Sequence, residues 1–166
     1  MRSSAKRKPM NSNNLFWNYF KPLAEQVVTT GTVLQSDGGR MEKLMSNSVN
    51  TKGFYPAVFV MRPAVKLFDN GAEQFYFWYH VTFYVFCKSK PGDEESMDAA
   101  FDQAEEIALS IAHKLREEHQ LTENVEYEYN TTVLEPVTMM TLDSTQGYEV
   151  KLKLALPANA VLRTYL

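Results

Sequence analysis

Gln74-Phe75-Tyr76-Phe77-Trp78-Tyr79-His80-Val81-Thr82-Phe83-Tyr84-Val85-Phe86-Cys87-Lys88 alternates with the period of a β-strand, and the segment beyond Pro91-Gly92 has the period of a helix. Phe75, Phe77, Tyr79, Val81, Phe83, Val85 and Cys87 fall on one face of that strand. The other face carries Tyr76, Trp78, His80, Thr82, Tyr84 and Phe86, which is too aromatic for a surface turned only to water. Another element of the chain, a ligand or a neighbouring subunit must cover it.

The helix after Pro91-Gly92 is the clearest in the chain. Asp93, Glu94 and Glu95 crowd its first turn, and His113, Lys114 and Arg116 are expected in its last, both complementing the helix dipole. Met97, Phe101, Ala104, Ile107, Ala108, Ile111 and Leu115 form an apolar stripe, with Asp98, Asp102, Glu105, Glu106 and Ser110 off it. One face belongs on a sheet and the other in water or at an interface.

Working outward, residues 1–11 are polar, basic and aperiodic and read as a flexible arm. Arg2, Lys6, Arg7 and Lys8 suit an acidic partner or a nucleic-acid backbone, and a solvated tail is the simpler alternative. A helix is expected to begin at Ser12–Asn14, with Leu15, Tyr19, Leu23 and Val27 on one face. Pro22 should kink or restart it, and Gly31 suits its C-terminal cap. Thr32 to Gly53 reads as a long, weakly structured connection with one or two helical turns between Arg40 and Met45.

Phe54 to Met61 reads as a strand, with Pro56 marking its start or a sheet edge. Pro63 to Gly71 reads as a connector that ends in the turn signal Asp69-Asn70-Gly71. Beyond the long helix, Val125 to Leu142 is extended, with Pro136 at a bulge or an edge. Asp143 to Gly147 reads as a hairpin loop. Tyr148, Val150, Leu152, Leu154 and Leu156 then alternate with Glu149, Lys151, Lys153 and Ala155. Residues 158–166 form an apolar tail suited to docking.

The expected fold is therefore α+β, in the order α-β-β-α-β-β. It is a two-layer sandwich of a mostly antiparallel four-stranded sheet and two main helices on one face. The domain spans 12–157, between the arm 1–11 and the tail 158–166. A length of 166 residues and an apolar fraction of 45% support one buried core. The surplus of ten Phe, nine Tyr and two Trp points to a protein interface or to a large aromatic core.

A net charge of −3 argues against nucleic-acid binding by the domain, leaving only the arm for that role. One cysteine, Cys87, excludes an internal disulfide framework, and its place on the apolar face makes it a buried, inert thiol. No membrane span and no signal peptide are read, so a reducing cytoplasm is the expected site of synthesis.

Chemistry is sparse. His113 and His119 are six residues apart and do not share a helix face as zinc ligands would. His80 lies among aromatics, and Cys87 has no histidine close in sequence. The adjacent glutamate pairs suit a solvated face, and Asp37-Gly38-Gly39 matches no phosphate loop. No catalytic residue, metal or cofactor is expected; an enzyme using His80 or Cys87 is the weakest of three readings.

The element order, with the strand Tyr55-Pro56-Ala57-Val58-Phe59-Val60 after the first helix, resembles tailed-bacteriophage neck proteins, and most of all the tail-terminator (tail-completion) family. The matching pieces are Phe54–Met61, Phe75–Lys88 and Asp93–Glu118, and the resemblance covers residues 13–157. It implies a structural virion protein without catalytic residues: a homo-oligomeric, hexameric ring between the tail tube and the head-side connector. The chain departs from that pattern in its basic arm, its longer Thr32–Gly53 loop and its apolar tail.

For such a subunit, Tyr76, Trp78, His80, Tyr84 and Phe86, with Arg2, Lys6, Arg7 and Lys8, are the candidate interface residues. The alternative is a small-molecule-binding module with an aromatic pocket around Tyr76, Trp78, His80 and Tyr84.

Overall fold

The computed structural model describes residues 10–47, 52–139 and 144–163. Among these are four α-helices and seven strands. In order they are α1 (Ser12–Val27), β1 (Thr32–Gln35), α2 (Gly38–Asn47), β2 (Ala57–Val60), β3 (Ala64–Asp69), β4 (Phe75–Lys88), α3 (Glu94–Leu121), β5 (Glu126–Tyr127), β6 (Val133–Met139), β7 (Thr145–Pro157) and α4 (Asn159–Leu162). The class is α+β, but the sheet is mixed and seven-stranded rather than four-stranded and antiparallel.

The aromatic stretch β4 is the sheet's axis. Along one side it pairs antiparallel with β7 from Tyr76 to Lys88. Its other side is shared: β2 pairs with its second half and β3 with its first. The register slips by one residue between them, so β2 and β3 act as one strand with a bulge at Met61–Pro63. In the same way β5 and β6 share the outer side of β7, interrupted by a 3-10 turn at Tyr129–Thr131. Beyond β2, β1 adds a parallel strand.

The connector expected between Pro63 and Gly71 is thus mostly strand β3. All six of its residues are exposed, so burial imposes no alternation by which the sequence could declare it. Its turn is as expected: Asp69 and Asn70 side chains accept from the backbone of Gly71 and Ala72 at 2.8 and 2.9 Å, and Gly71 has φ +77°.

On the face of Phe77, Tyr79, Val81, Phe83 and Val85 lie α1 and α3. Phe16 and Phe20 of α1 stack on each other at 5.3 Å, and reach Tyr79 and Phe83 at 5.2 and 5.6 Å. Burying each such ring stabilises by roughly 1.5–3 kcal/mol. The Tyr79 hydroxyl donates to the carbonyl of Ser12 at 2.7 Å, pinning the start of α1 to the strand.

Pro22 neither ends nor restarts α1, which runs unbroken to Val27; its N-cap is Asn11, whose side chain accepts from Asn14 N at 2.8 Å. Along α3 the buried positions Ala100, Ala104, Ala108 and Ala112 recur every fourth residue, and these small side chains let the helix lie close to its neighbours. That helix runs past His113 and Arg116 to Leu121, leaving His119 as the base of its last turn.

The opposite face divides in two. Over its second half lies α2, which buries Met41 and Met45 with Phe54, Ala57, Phe59 and Phe86 in a separate apolar cluster. Within the segment expected to be a weak loop, the described residues thus form a strand that joins the sheet and a helix that adds a third layer. Gly31 is not a helix cap: a Cβ there would stand 2.0 Å from the Pro56 carbonyl oxygen, so its role is to let β1 close on β2. Gly147, expected in a loop, lies within β7 opposite Phe86, where a Cβ would stand 1.9 Å from the Val85 carbonyl oxygen. Pro56 precedes β2 as a strand start; β2 lies between β1 and β4 and is no edge.

The described part of the tail, residues 158–163, docks on the same domain. Ala158 and Val161 are buried, Ala158 N donates to Phe75 O at 2.8 Å, and Phe75 N donates to the Asn159 side chain at 2.8 Å. Among the described residues no helix is long and apolar enough to cross a membrane.

Candidate functional site

The candidate interface residues of β4 separate along the strand. Phe86 is fully buried beneath α2 and belongs to the core, which corrects its assignment to an interface. Its ring stacks parallel to that of Tyr84, with centroids 6.0 Å apart. Tyr84 packs against the same cluster, and its hydroxyl donates to Glu149 at 2.5 Å across the β4–β7 pair. Burial, then this bond, pushes the Tyr84 phenol up to about 12. The Tyr84 bond, seconded by Lys151 at 3.2 Å, holds the Glu149 carboxyl below the usual range against the opposing effect of burial.

At the other end of the strand, Tyr76 and Trp78 are half-buried and His80 is exposed. They line an open groove of about 610 Å³. Lys66 and Phe68 of β3 stand opposite Trp78 and Tyr76 in the register, and Asn70 follows at the turn. Lys153 of β7 stands opposite His80, and Glu126 and Glu128 close the far side. Tyr84 is not part of this groove.

Most of these side chains are unengaged. Tyr76, Trp78, His80, Lys66 and Lys153 make no side-chain hydrogen bond or ion pair among the described residues. The two glutamates are held: Glu126 lies 3.6 Å from His119, and Glu128 accepts from Thr131 Oγ1 at 3.3 Å. The groove thus offers aromatic rings, two ammonium groups and, on its far side, two carboxylates.

The hairpin of β3 and the start of β4 also presents apolar surface on its other face, where Val65 is 37% and Leu67 69% exposed. Only the β3 half of the hairpin is exposed on both faces; Phe77 and Tyr79 of β4 are buried in the core on that side.

Other residues weighed for chemistry have structural surroundings. Cys87 is buried, and desolvation pushes its thiol up to about 12, far from a reactive thiolate. His113 pairs with Glu117 at 3.2 Å, and His119 meets the Val125 carbonyl at 2.7 Å. Among the described residues no group of three or more His, Cys, Asp and Glu is placed to hold a metal. Arg2, Lys6, Arg7 and Lys8 lie outside the described residues.

Lys66, Phe68 and Lys153 do not stand out in the sequence. The alternation of β7 puts Lys153 on a polar face, but only the pairing of β3 and β7 with β4 brings both lysines beside Trp78 and His80. A scan against protein-family models finds no match to the chain, and neither does a search of curated proteins.

Proposed function

We propose that the chain is a structural subunit that assembles with copies of itself into a closed ring, of the tail-terminator kind at the neck of tailed bacteriophages. On this reading the ring is hexameric and joins the tail tube to the head-side connector in the virion. One observation carries it. Tyr76, Trp78 and Phe68 form an aromatic surface that no described element of the chain covers, while the other half of the same sheet face is sealed by α2. The resemblance rests on the order of helix, proline-led strand, aromatic strand and long helix; the chain keeps these four in sequence, with β1 and α2 between the first two and β3 before the aromatic strand.

Native mass spectrometry and light scattering at rising concentration, with and without tail-tube protein, test it. The expected result is a closed oligomer of fixed stoichiometry. A chain that stays monomeric in both settings overturns it.

A second reading is favoured by the groove itself, whose volume of about 610 Å³ falls in the range of ligand sites and whose walls include Tyr76, Trp78 and His80. On that reading the chain is a small-molecule-binding module. A constant excess mass on the monomer in native spectra, lost on denaturation, would favour it over the ring.

A further inference from the structure

We propose that the outer edge of β3 pairs antiparallel with the same strand of a second copy of this chain, about a two-fold axis at Leu67. All six residues of β3 are exposed, and Val65, Leu67 and Phe68 among them are apolar. An exposed apolar edge strand is a template for another strand.

Hydrogen bonds fix which backbone groups of β3 point outward. Asn70 N donates to Gln74 O at 3.2 Å, and that pair continues the register in which Phe68 stands opposite Tyr76 and Lys66 opposite Trp78. An antiparallel ladder bonds every second pair, so Lys66 and Phe68 turn their N–H and C=O groups to β4. The bond from Ala158 N to Phe75 O on the far side of β4 gives the same phase. The backbone groups of Val65, Leu67 and Asp69 therefore point away from the sheet, where no described strand pairs with them. β1 does not reach them, because it ends at Gln35, opposite Val60. The outer edge of β6 differs. Glu128 N donates to Lys153 O, so the same phasing turns Pro136 outward, and a proline has no N–H to offer.

Backbone donors and acceptors at every second residue are the pattern that an added strand meets. β3 fits itself. A two-fold axis normal to the sheet reverses strand direction and keeps each face on its own side. Centred on Leu67, it bonds Leu67 to Leu67 of the second copy and Val65 to Asp69 on either side. Lys66 then lies beside the Phe68 ring of the second copy, and no like charges stand opposite each other. Centred on Lys66 instead, it would oppose two ammonium groups and bring Pro63 opposite Asp69, losing a bonded pair. A cyclic ring closes through heterologous contacts, so this isologous pairing stands apart from the ring contact and does not rest on it.

The test uses variants of the full chain at exposed positions of β3, which should melt like the wild type by circular dichroism. By sedimentation velocity Leu67→Lys and Leu67→Glu should each self-associate at least about tenfold more weakly than wild type, because like charges then meet on the axis. Mixed in equal amounts they should associate again. Cross-linking reads the register. The two Leu67 Cα atoms would lie about 5.5 Å apart and the two Val65 about 13 Å apart along the strands. A short bis-maleimide should therefore join Leu67→Cys chains into dimers and leave Val65→Cys chains single, with Cys87 buried out of reach. A wild-type chain that stays monomeric at rising concentration, equal cross-linking at the two positions, or charge variants that associate no better mixed than alone overturns the pairing.

Discussion

Two halves of one strand face, formed by residues of the same kind, have different fates. Tyr84 and Phe86 lie beneath α2, stacked on each other and packed with Met41, Met45 and Phe59. Tyr76 and Trp78, further along the same alternation, meet only the open groove. Aromatic content does not distinguish them; the presence of a covering helix does. A uniformly aromatic face is thus the sum of a covered half and an open half, and the proposal of a partner rests on the second alone.

Two substitutions on the covered half should give the largest effects. Gly147→Ala places a Cβ 1.9 Å from the Val85 carbonyl oxygen and 2.8 Å from the Phe86 ring. Both neighbours are in the middle of the sheet and cannot withdraw cheaply, so a loss on the order of 4 kcal/mol or more is expected from urea unfolding. Phe86→Ala removes a fully buried ring between α2 and the sheet and should cost about 3–5 kcal/mol. A cost under about 1 kcal/mol would mean that α2 collapses into the space or does not cover Phe86, and the contrast between the halves would be lost.

The axis of the fold is legible in the sequence because burial enforces alternation there. β4, β7 and α3 each have one face in the core, and their apolar residues repeat with the period that geometry demands. β3 escapes such a reading because its two faces are both exposed, and α2 because its buried residues are two methionines in a short polar helix. Glycine misleads twice. Gly31 and Gly147 look like punctuation in the sequence but serve close backbone approach, which depends on strands distant in the chain. The groove is half legible: Tyr76, Trp78 and His80 declare themselves on β4, whereas Lys66 and Lys153 acquire meaning only from strand register.

A smaller effect should come from the bond that ties the covered half to β7. Tyr84→Phe leaves Glu149 without its closest donor and should cost about 1–2 kcal/mol near neutral pH. The pH dependence gives a second readout. Glu149 is depressed in the folded state, so its contribution is present above the ordinary glutamate range and is lost as pH falls through the lower folded value. Urea midpoints of wild type should therefore fall more steeply than those of the variant from about pH 5 to about pH 3. Tyr84 itself is raised to about 12, so its contribution is full below the ordinary phenol value and is lost as pH rises through the folded one. The variant should lack that alkaline loss. Parallel acid and alkaline profiles in the two proteins would show that the pair does not couple the strands.

Trp78→Ala should change stability least, by less than about 1 kcal/mol in the isolated chain, because the ring is only half-buried and rests on no covering element. Its effect belongs to association instead. On the ring reading Trp78 is an aromatic anchor of the subunit contact, and truncating such an anchor weakens binding by about tenfold or more. Sedimentation should then show a stable, folded chain that assembles poorly, the reverse of what Phe86→Ala produces. Were Trp78→Ala to cost as much stability as Phe86→Ala, an element of the chain itself would have to cover the ring. The open half would then be core, and the argument for a partner would lose its surface.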